Sequence, residues 1–285
     1  MDFRDILLVS DYDNTLTGDR HIIPQENIDA ILDFTAQGGA FTIASGRGKR
    51  EWKENFSEVP FNAPLILSNG AVIYDTKTDR ELFHALLTEK QKELAKKLFL
   101  SLPEGCSGLV EAGGGVYIPG EIYEMGGFKG WFPKGDIPHP SLEEIPDCWD
   151  KVSFISPLPD LSSYLEKNFD IGMVDSSGLD ILQKRAEAIG LPGVRSLPVM
   201  YEISPEGTDK GMSARKLLGL IGKKVLVCAG DAPNDAAMLR EADYCFVPRE
   251  SLLAKESGVP EGAIMTVRCE KAAIADVIRQ LKAMQ

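Results

Sequence analysis

Apolar positions recur along this chain in two patterns, and each predicts a different element. Residues 6–10, Ile-Leu-Leu-Val-Ser, make a short run suited to a strand buried on both faces. Residues 41–44 and 65–67 repeat that pattern. Between the first two runs, residues 24–37 put Ile28, Ile31, Leu32 and Thr35 on one helical face. Pro24 suits the first turn of that helix and Gly38 its end. The same rhythm returns late in the chain. Residues 210–221 align Ala214, Leu217, Leu218 and Ile221. Residues 225–229, 244–247 and 264–267 read as strands, and residues 234–242 and 271–284 as helices, the last with Ile274, Val277, Ile278 and Leu281 inward. Such alternation predicts βαβ units and a parallel sheet.

The middle of the chain breaks the rhythm and holds most of the prolines. Thr88 and Gln91 form a capping box ahead of a helix running through Leu100. Short alternating segments follow at 115–118, 151–155 and 171–175, with residues 160–169 helical before the last. The predicted fold class is α/β. A parallel-sheet core, residues 1–81 and 201–285, is interrupted by an inserted α+β domain at 82–200.

The 285 residues suffice for a substantial core, and 44% hydrophobic with 26% charged residues is a globular balance. The formal net charge of −12 repels nucleic-acid phosphates and anionic membranes, so neither is an expected partner. Any phosphate site must then carry strong local positive charge. No apolar stretch is long enough to span a bilayer, and residues 1–5 lack the basic start of a signal peptide. Cys106, Cys148, Cys228, Cys245 and Cys269 are scattered without metal-ligand spacing, which fits a reducing cytoplasm better than a disulfide framework. Nothing in the sequence sets the oligomeric state.

Four polar segments flank the predicted strands and helices. Asp11-Tyr12-Asp13-Asn14-Thr15 follows the first strand, where ligands of open α/β sheets bind. Its two carboxylates can serve as nucleophile and acid/base, or merely as an acidic turn with Asx hydrogen bonds. Ser45-Gly46-Arg47 follows the second strand and can hold a phosphate with hydroxyl and backbone N–H, or form an ordinary turn with a solvent-facing arginine. Lys210 opens a helix and can neutralise phosphate or aspartate, or simply be solvated. Gly230-Asp231-Ala232-Pro233-Asn234-Asp235 follows another strand. Asp231 can bind a divalent cation there, with Asn234 and Asp235 holding its waters, or the acids can simply favour a helix N-terminus.

In this order the segments resemble the four motifs of the haloacid dehalogenase-like superfamily of phosphatases, and Ser68-Asn69-Gly70-Ala71 resembles a further turn of its Cof-like branch. The resemblance covers both core segments, and the insertion stands where that branch (subfamily IIB) carries a C2-type α/β cap. It implies a Rossmann-like core and an Mg2+-dependent phosphatase acting on a small phosphorylated metabolite, with sugar phosphates foremost. Asp11 would become an aspartyl phosphate while Asp13 acts as acid and base. Ser45, Gly46, Lys210 and Asn234 would surround the phosphate. Asp11, the Asp13 carbonyl and Asp231 would hold Mg2+, supported by Thr15, Arg47 and Asp235.

Two departures stand out. Asn14 replaces a frequent glycine, which a left-handed turn tolerates in asparagine, and residues 244–251 lack the small-residue segment common after the fourth motif. The resemblance leaves two alternatives, a sugar phosphomutase and a non-catalytic binding protein on the same fold. Tyr117, Tyr123, Phe128, Trp131 and Phe132 could line a substrate pocket or form the insertion's own core. His21, His84 and His139 stand isolated and receive no catalytic role.

Overall fold

The computed structural model describes residues 2–18, 21–120, 137–156, 177–255 and 258–284. The sequence-predicted helix at 160–169, the strand at 171–175, and Tyr123, Phe128, Trp131 and Phe132 lie outside them. The chain divides into two compact units, Met1–His84 with Gly207–Gln285, and Ala85–Glu206.

The first unit is built on a five-stranded parallel sheet. Its strands are β1 (Ile6–Ser10), β2 (Ala40–Ile43), β11 (Val225–Ala229), β12 (Tyr244–Pro248) and β13 (Ile264–Thr266), in the order β13-β12-β11-β1-β2. Alternation along β1 explains why its whole run is apolar. Ile6 and Leu8 join a cluster with Ile31, Phe34, Ile274, Val277 and Leu281, whereas Leu7 and Val9 join one with Ala214, Leu217 and Met238. Helices Gln25–Ala36 and Ala273–Ala283 therefore cover one face, and Lys210–Leu220 with Ala236–Glu241 the other.

Beyond β2, a parallel bridge from Ala44 to Ile66 leads into a smaller antiparallel sheet of β3 (Leu65–Leu67), β4 (Val72–Asp75) and β5 (Arg80–His84). The inward face of the first helix differs from the periodicity reading. Asn27, Ile31 and Phe34 are buried, whereas Leu32 is 51% exposed. The Phe34 ring packs edge-on against Phe3 at 4.8 Å, which turns the helix toward Phe34.

The second unit carries an antiparallel sheet ordered β7-β6-β8-β10-β9, from β6 (Ser107–Ala112), β7 (Gly115–Tyr117), β8 (Trp149–Ile155), β9 (Val194–Leu197) and β10 (Met200–Ile203). Helices Glu89–Phe99 and Ser177–Ala188 bury Ala95, Leu98, Leu179 and Leu182 with Val110, Val152, Phe154 and Tyr201. The first of them starts with the capping box of Thr88 and Gln91. Tyr117 packs against this core half-buried. Among the described residues no helix is long and apolar enough to cross a membrane.

Candidate active site

Parallel pairing puts the carboxyl ends of β1, β2 and β11 on one edge, with β1 in the middle. Asp11 continues β1 by one residue, its N–H donating to the Ala229 carbonyl at 2.9 Å. The chain then turns sharply. Asp13 is extended at ψ 129°, Asn14 is left-handed at φ 59°, and Thr17 N–H closes the turn on the Tyr12 carbonyl at 3.0 Å. Asparagine supplies the left-handed residue without glycine. The turn lets the Thr15 hydroxyl donate to Asp231 Oδ1 at 2.8 Å, tying the ends of β1 and β11 together.

Lys210 is fully buried, and its ammonium donates to Asp11 Oδ1 at 2.6 Å and Asp235 Oδ1 at 2.7 Å. A lysine in the first turn of a helix opposes the helix dipole, and a buried ammonium needs partners, so its local surroundings alone disfavour it. The two carboxylates supply what it lacks. Two glycines make the approach possible. Gly70 sits at φ +98°, and a Cβ there would meet the Asp209 carbonyl oxygen at 2.2 Å. A Cβ on Gly230 would meet Asp235 Cβ at 2.5 Å. Asp235 folds back there, and its Oδ2 accepts the N–H groups of Asp231 and Ala232, both at 3.0 Å.

Asp11, Asp231 and Asp235 each bring a ligand oxygen within 4.8 Å of the others, and all three are buried. Asp235 has both oxygens committed. Asp11 and Asp231 each keep an oxygen without a partner among the described residues. Were all three carboxylates ionised, one ammonium would leave two negative charges uncompensated. Burial and repulsion from Asp235 push Asp11 well above the ordinary carboxylate range, with Lys210 only partly opposing. Burial and the Asp11 charge push Asp231 up as well. Burial alone would lower Lys210, but Asp11 and Asp235 more than reverse this and keep it charged. Such a set of hard oxygen donors and surplus negative charge suits a divalent cation.

A second group is half-buried. Arg47 grips Asp13 with a fork, Nη2 to Oδ1 at 3.0 Å and Nε to Oδ2 at 3.2 Å. The Arg47 guanidinium also lies 5.8 Å from the Tyr12 ring centre. His21 Nδ1 lies 2.9 Å from Asp13 Oδ1. Burial alone would raise Asp13, but Arg47 and His21 hold it well below the usual carboxylate range. His21 was isolated in the sequence, and no local signal pointed to this contact. His84 and His139 lie beside Glu81 and the Ile118 carbonyl.

Ser45 Oγ accepts the Arg47 N–H at 3.1 Å, and the Ser45 carbonyl accepts the Asn69 N–H at 3.1 Å. Asn234 Nδ2 donates to Asn69 Oδ1 at 3.3 Å, linking the turns after β11 and β3. A Cβ on Gly46 would stand 3.1 Å from that same oxygen. Ser68, Asn69 and Gly70 all have positive φ, at 49°, 54° and 98°. Two of them are not glycine, so conformational strain is concentrated at this turn. The sequence singled out this turn without a role for Asn69.

The α/β fold thus gathers converging carboxylates and a buried lysine at the carboxyl ends of its parallel strands. The profile of the haloacid dehalogenase-like hydrolases matches residues 8–247, and the chain belongs to that family. It is 25% identical over 244 residues to YxeH of Bacillus subtilis strain 168, covering 83% of this chain and 84% of YxeH. It is 24% identical over 243 residues to the 5-amino-6-(5-phospho-D-ribitylamino)uracil phosphatase YcsE of the same organism, covering 83% and 80%. Among solved structures, the subclass IIB sugar phosphatase BT4131 superposes with a TM-score of 0.74 at 18% identity, covering 97% of this chain and 98% of the other. At that identity the likeness concerns the fold.

Proposed function

We propose that this hydrolase is an Mg2+-dependent phosphatase of a small phosphorylated metabolite, a sugar phosphate foremost, working through an aspartyl phosphate on Asp11. The observation that carries the reading is the buried contact of Lys210 with Asp11 and Asp235. A lysine there prepares a site for a dianion beside a carboxylate nucleophile. The names of YcsE and BT4131 support phosphate-ester chemistry.

In the first step an Asp11 oxygen attacks phosphorus, the bond from phosphorus to the leaving oxygen breaks, and Asp13, ionised in the free site and taking up a proton as the anionic ester binds, gives that oxygen the proton. In the second, water attacks phosphorus, Asp13 takes its proton, and the bond to Asp11 breaks to return the carboxylate and release inorganic phosphate. Lys210, Ser45 and the Gly46 backbone hold phosphate oxygens as charge spreads over them, with Asn234 beside them. Asp11, Asp231 and the Asp13 carbonyl would hold Mg2+, whose charge offsets repulsion between carboxylate and ester. The convergence of Asp11, Asp231 and Asp235 and the uncommitted oxygens of Asp11 and Asp231 fit that cation. Thr15 and Asp235 orient the ligands.

Water is the acceptor we favour over a second sugar hydroxyl. A mutase must hold a second phosphate with free cations in the inserted unit. Lys151 is buried between Glu111 at 3.0 Å and Glu202 at 2.6 Å, Arg195 is engaged by Asp180 and Arg185 by the Ser101 carbonyl, while Lys184 stands exposed on its helix. Lys129 and Lys134 lie outside the described residues. The test is purified protein with Mg2+ and a panel of phosphate esters, following free phosphate and positional isomers separately. Phosphate release without isomer is expected, and isomer formation outrunning phosphate release would overturn the reading.

A further inference from the structure

The loop after the first motif brings His21 back to Asp13. Gly18 N–H donates to the Ile22 carbonyl at 2.8 Å and closes the loop, while His21 itself takes φ 58°. Asp13 Oδ1 then faces two donors, His21 Nδ1 at 2.9 Å and Arg47 Nη2 at 3.0 Å. Oδ2 faces one, Arg47 Nε at 3.2 Å. Arg47 alone treats the two oxygens alike, one bond to each. His21 breaks that symmetry. Two donors fill the outward lone pairs of Oδ1, whereas Oδ2 keeps one available.

We propose that His21 is a positioning residue for Asp13, filling Oδ1 with Arg47 so that Oδ2 is the oxygen that exchanges a proton with the leaving group and with water. This rests on the reading of Asp13 as acid and base. The Cβ–Cγ torsion of an aspartate is soft, so a third donor matters to where the carboxylate points. Without His21 both oxygens compete for the proton, and the fraction of time spent in productive geometry falls.

Leaving-group dependence tests this. A proton donor matters most when the departing oxygen is a poor leaving group, as in a sugar monophosphate, and little for 4-nitrophenyl phosphate. In the full chain with Mg2+, His21→Ala should lower kcat for the most active sugar monophosphate by about tenfold or more, with KM changed less than about twofold. On 4-nitrophenyl phosphate it should lose less than about threefold. His21→Asn should recover most of the loss, because its amide nitrogen replaces Nδ1 and asparagine accepts positive φ. Equal losses on both esters, or no recovery in His21→Asn, would overturn the assignment. Asp13→Asn separates the two levels. If it abolishes turnover of the sugar ester while His21→Ala does not reduce it, only the role of His21 falls. If Asp13→Asn keeps full turnover, the acid–base reading itself falls.

Discussion

Lys210 Nζ lies 2.6 Å from Asp11 Oδ1, although 199 positions separate the two residues. The contact explains a lysine that its own helix disfavours. It also places a positive charge against the carboxylate that would attack phosphorus. Lys210 bridges to Asp235, which in turn holds the backbone after β11, so Asp11 is tied through Lys210 to the turn that follows β11.

Replacing Asp11 by asparagine keeps the shape and would remove the nucleophile of the proposed reaction. Phosphate release should fall at least about a thousandfold. The fold should persist, because Lys210 keeps Asp235. Steady-state release of phosphate, with circular dichroism on the same preparation, checks both halves. Intact hydrolysis would remove Asp11 from the covalent role.

Charge in the cluster predicts a pH dependence for the metal-free protein. Asp11 is raised from 3.8 to about 8 in the fold, so across that window the folded chain binds more protons than the unfolded one. Stability must therefore fall as pH rises through the window. The shift of Asp231 has the same sign. Thermal melts in chelator should show Tm dropping toward the alkaline end, and Mg2+ should stabilise most there. A chelated Tm that rises with pH across the window would contradict this account.

Gly70 should tolerate no side chain. With φ at +98° and a Cβ only 2.2 Å from the Asp209 carbonyl oxygen and 2.9 Å from Lys210 N, alanine must displace the start of the Lys210 helix. Gly70→Ala should destabilise by about 1–3 kcal/mol and reduce turnover. Gly207→Ala provides the contrast, since that residue has φ +73° but nothing within 4 Å of its Cβ. It should lose some stability and keep its activity. Denaturant titration and phosphate release on both variants distinguish the two.

Thr15→Val removes the hydroxyl that donates to Asp231. The Mg2+ concentration for half-maximal activity should rise about 10–100-fold, with maximal turnover changed less. Magnesium titrations of the two proteins decide it. An unchanged half-saturation would mean that Thr15 does not orient a metal ligand.

Lys151 presents a purely structural case in the second unit. Its buried ammonium pairs with Glu111 and Glu202, and Ser153 also donates to Glu202 at 3.2 Å. Lys151→Met leaves two buried carboxylates without their cation and should destabilise by about 3–5 kcal/mol. Adding Glu111→Gln and Glu202→Gln should recover much of that loss, which differential scanning calorimetry can measure.

Apolar runs made β1, β2 and β11 legible, because strands buried on both faces have few alternatives to unbroken hydrophobicity. The capping box at Thr88 and the left-handed Asn14 were legible for a similar reason, since each depends on residues adjacent in the chain. The inward face of the first helix was less so. Its rotation depends on Phe3, which no periodicity within the helix reveals. The hairpin of β4 and β5 and the strands β6, β9 and β10 escaped the reading, because their short, mixed sequences acquire direction only from neighbouring strands.

The sequence by itself determined which residue types stand at the ends of the parallel strands, and with them the kind of chemistry this edge could support. Only the tertiary structure decided the pairings: Thr15 with Asp231, Lys210 with both Asp11 and Asp235, Asn234 with Asn69, and His21 with Asp13. The reason is physical. Residue type and local spacing govern which backbone shape a segment prefers, and that information is carried within a few neighbours. Which side chains meet depends on the order of strands in the sheet and on loop closures such as Gly18 to Ile22, where a shift of one ångström makes or breaks a hydrogen bond.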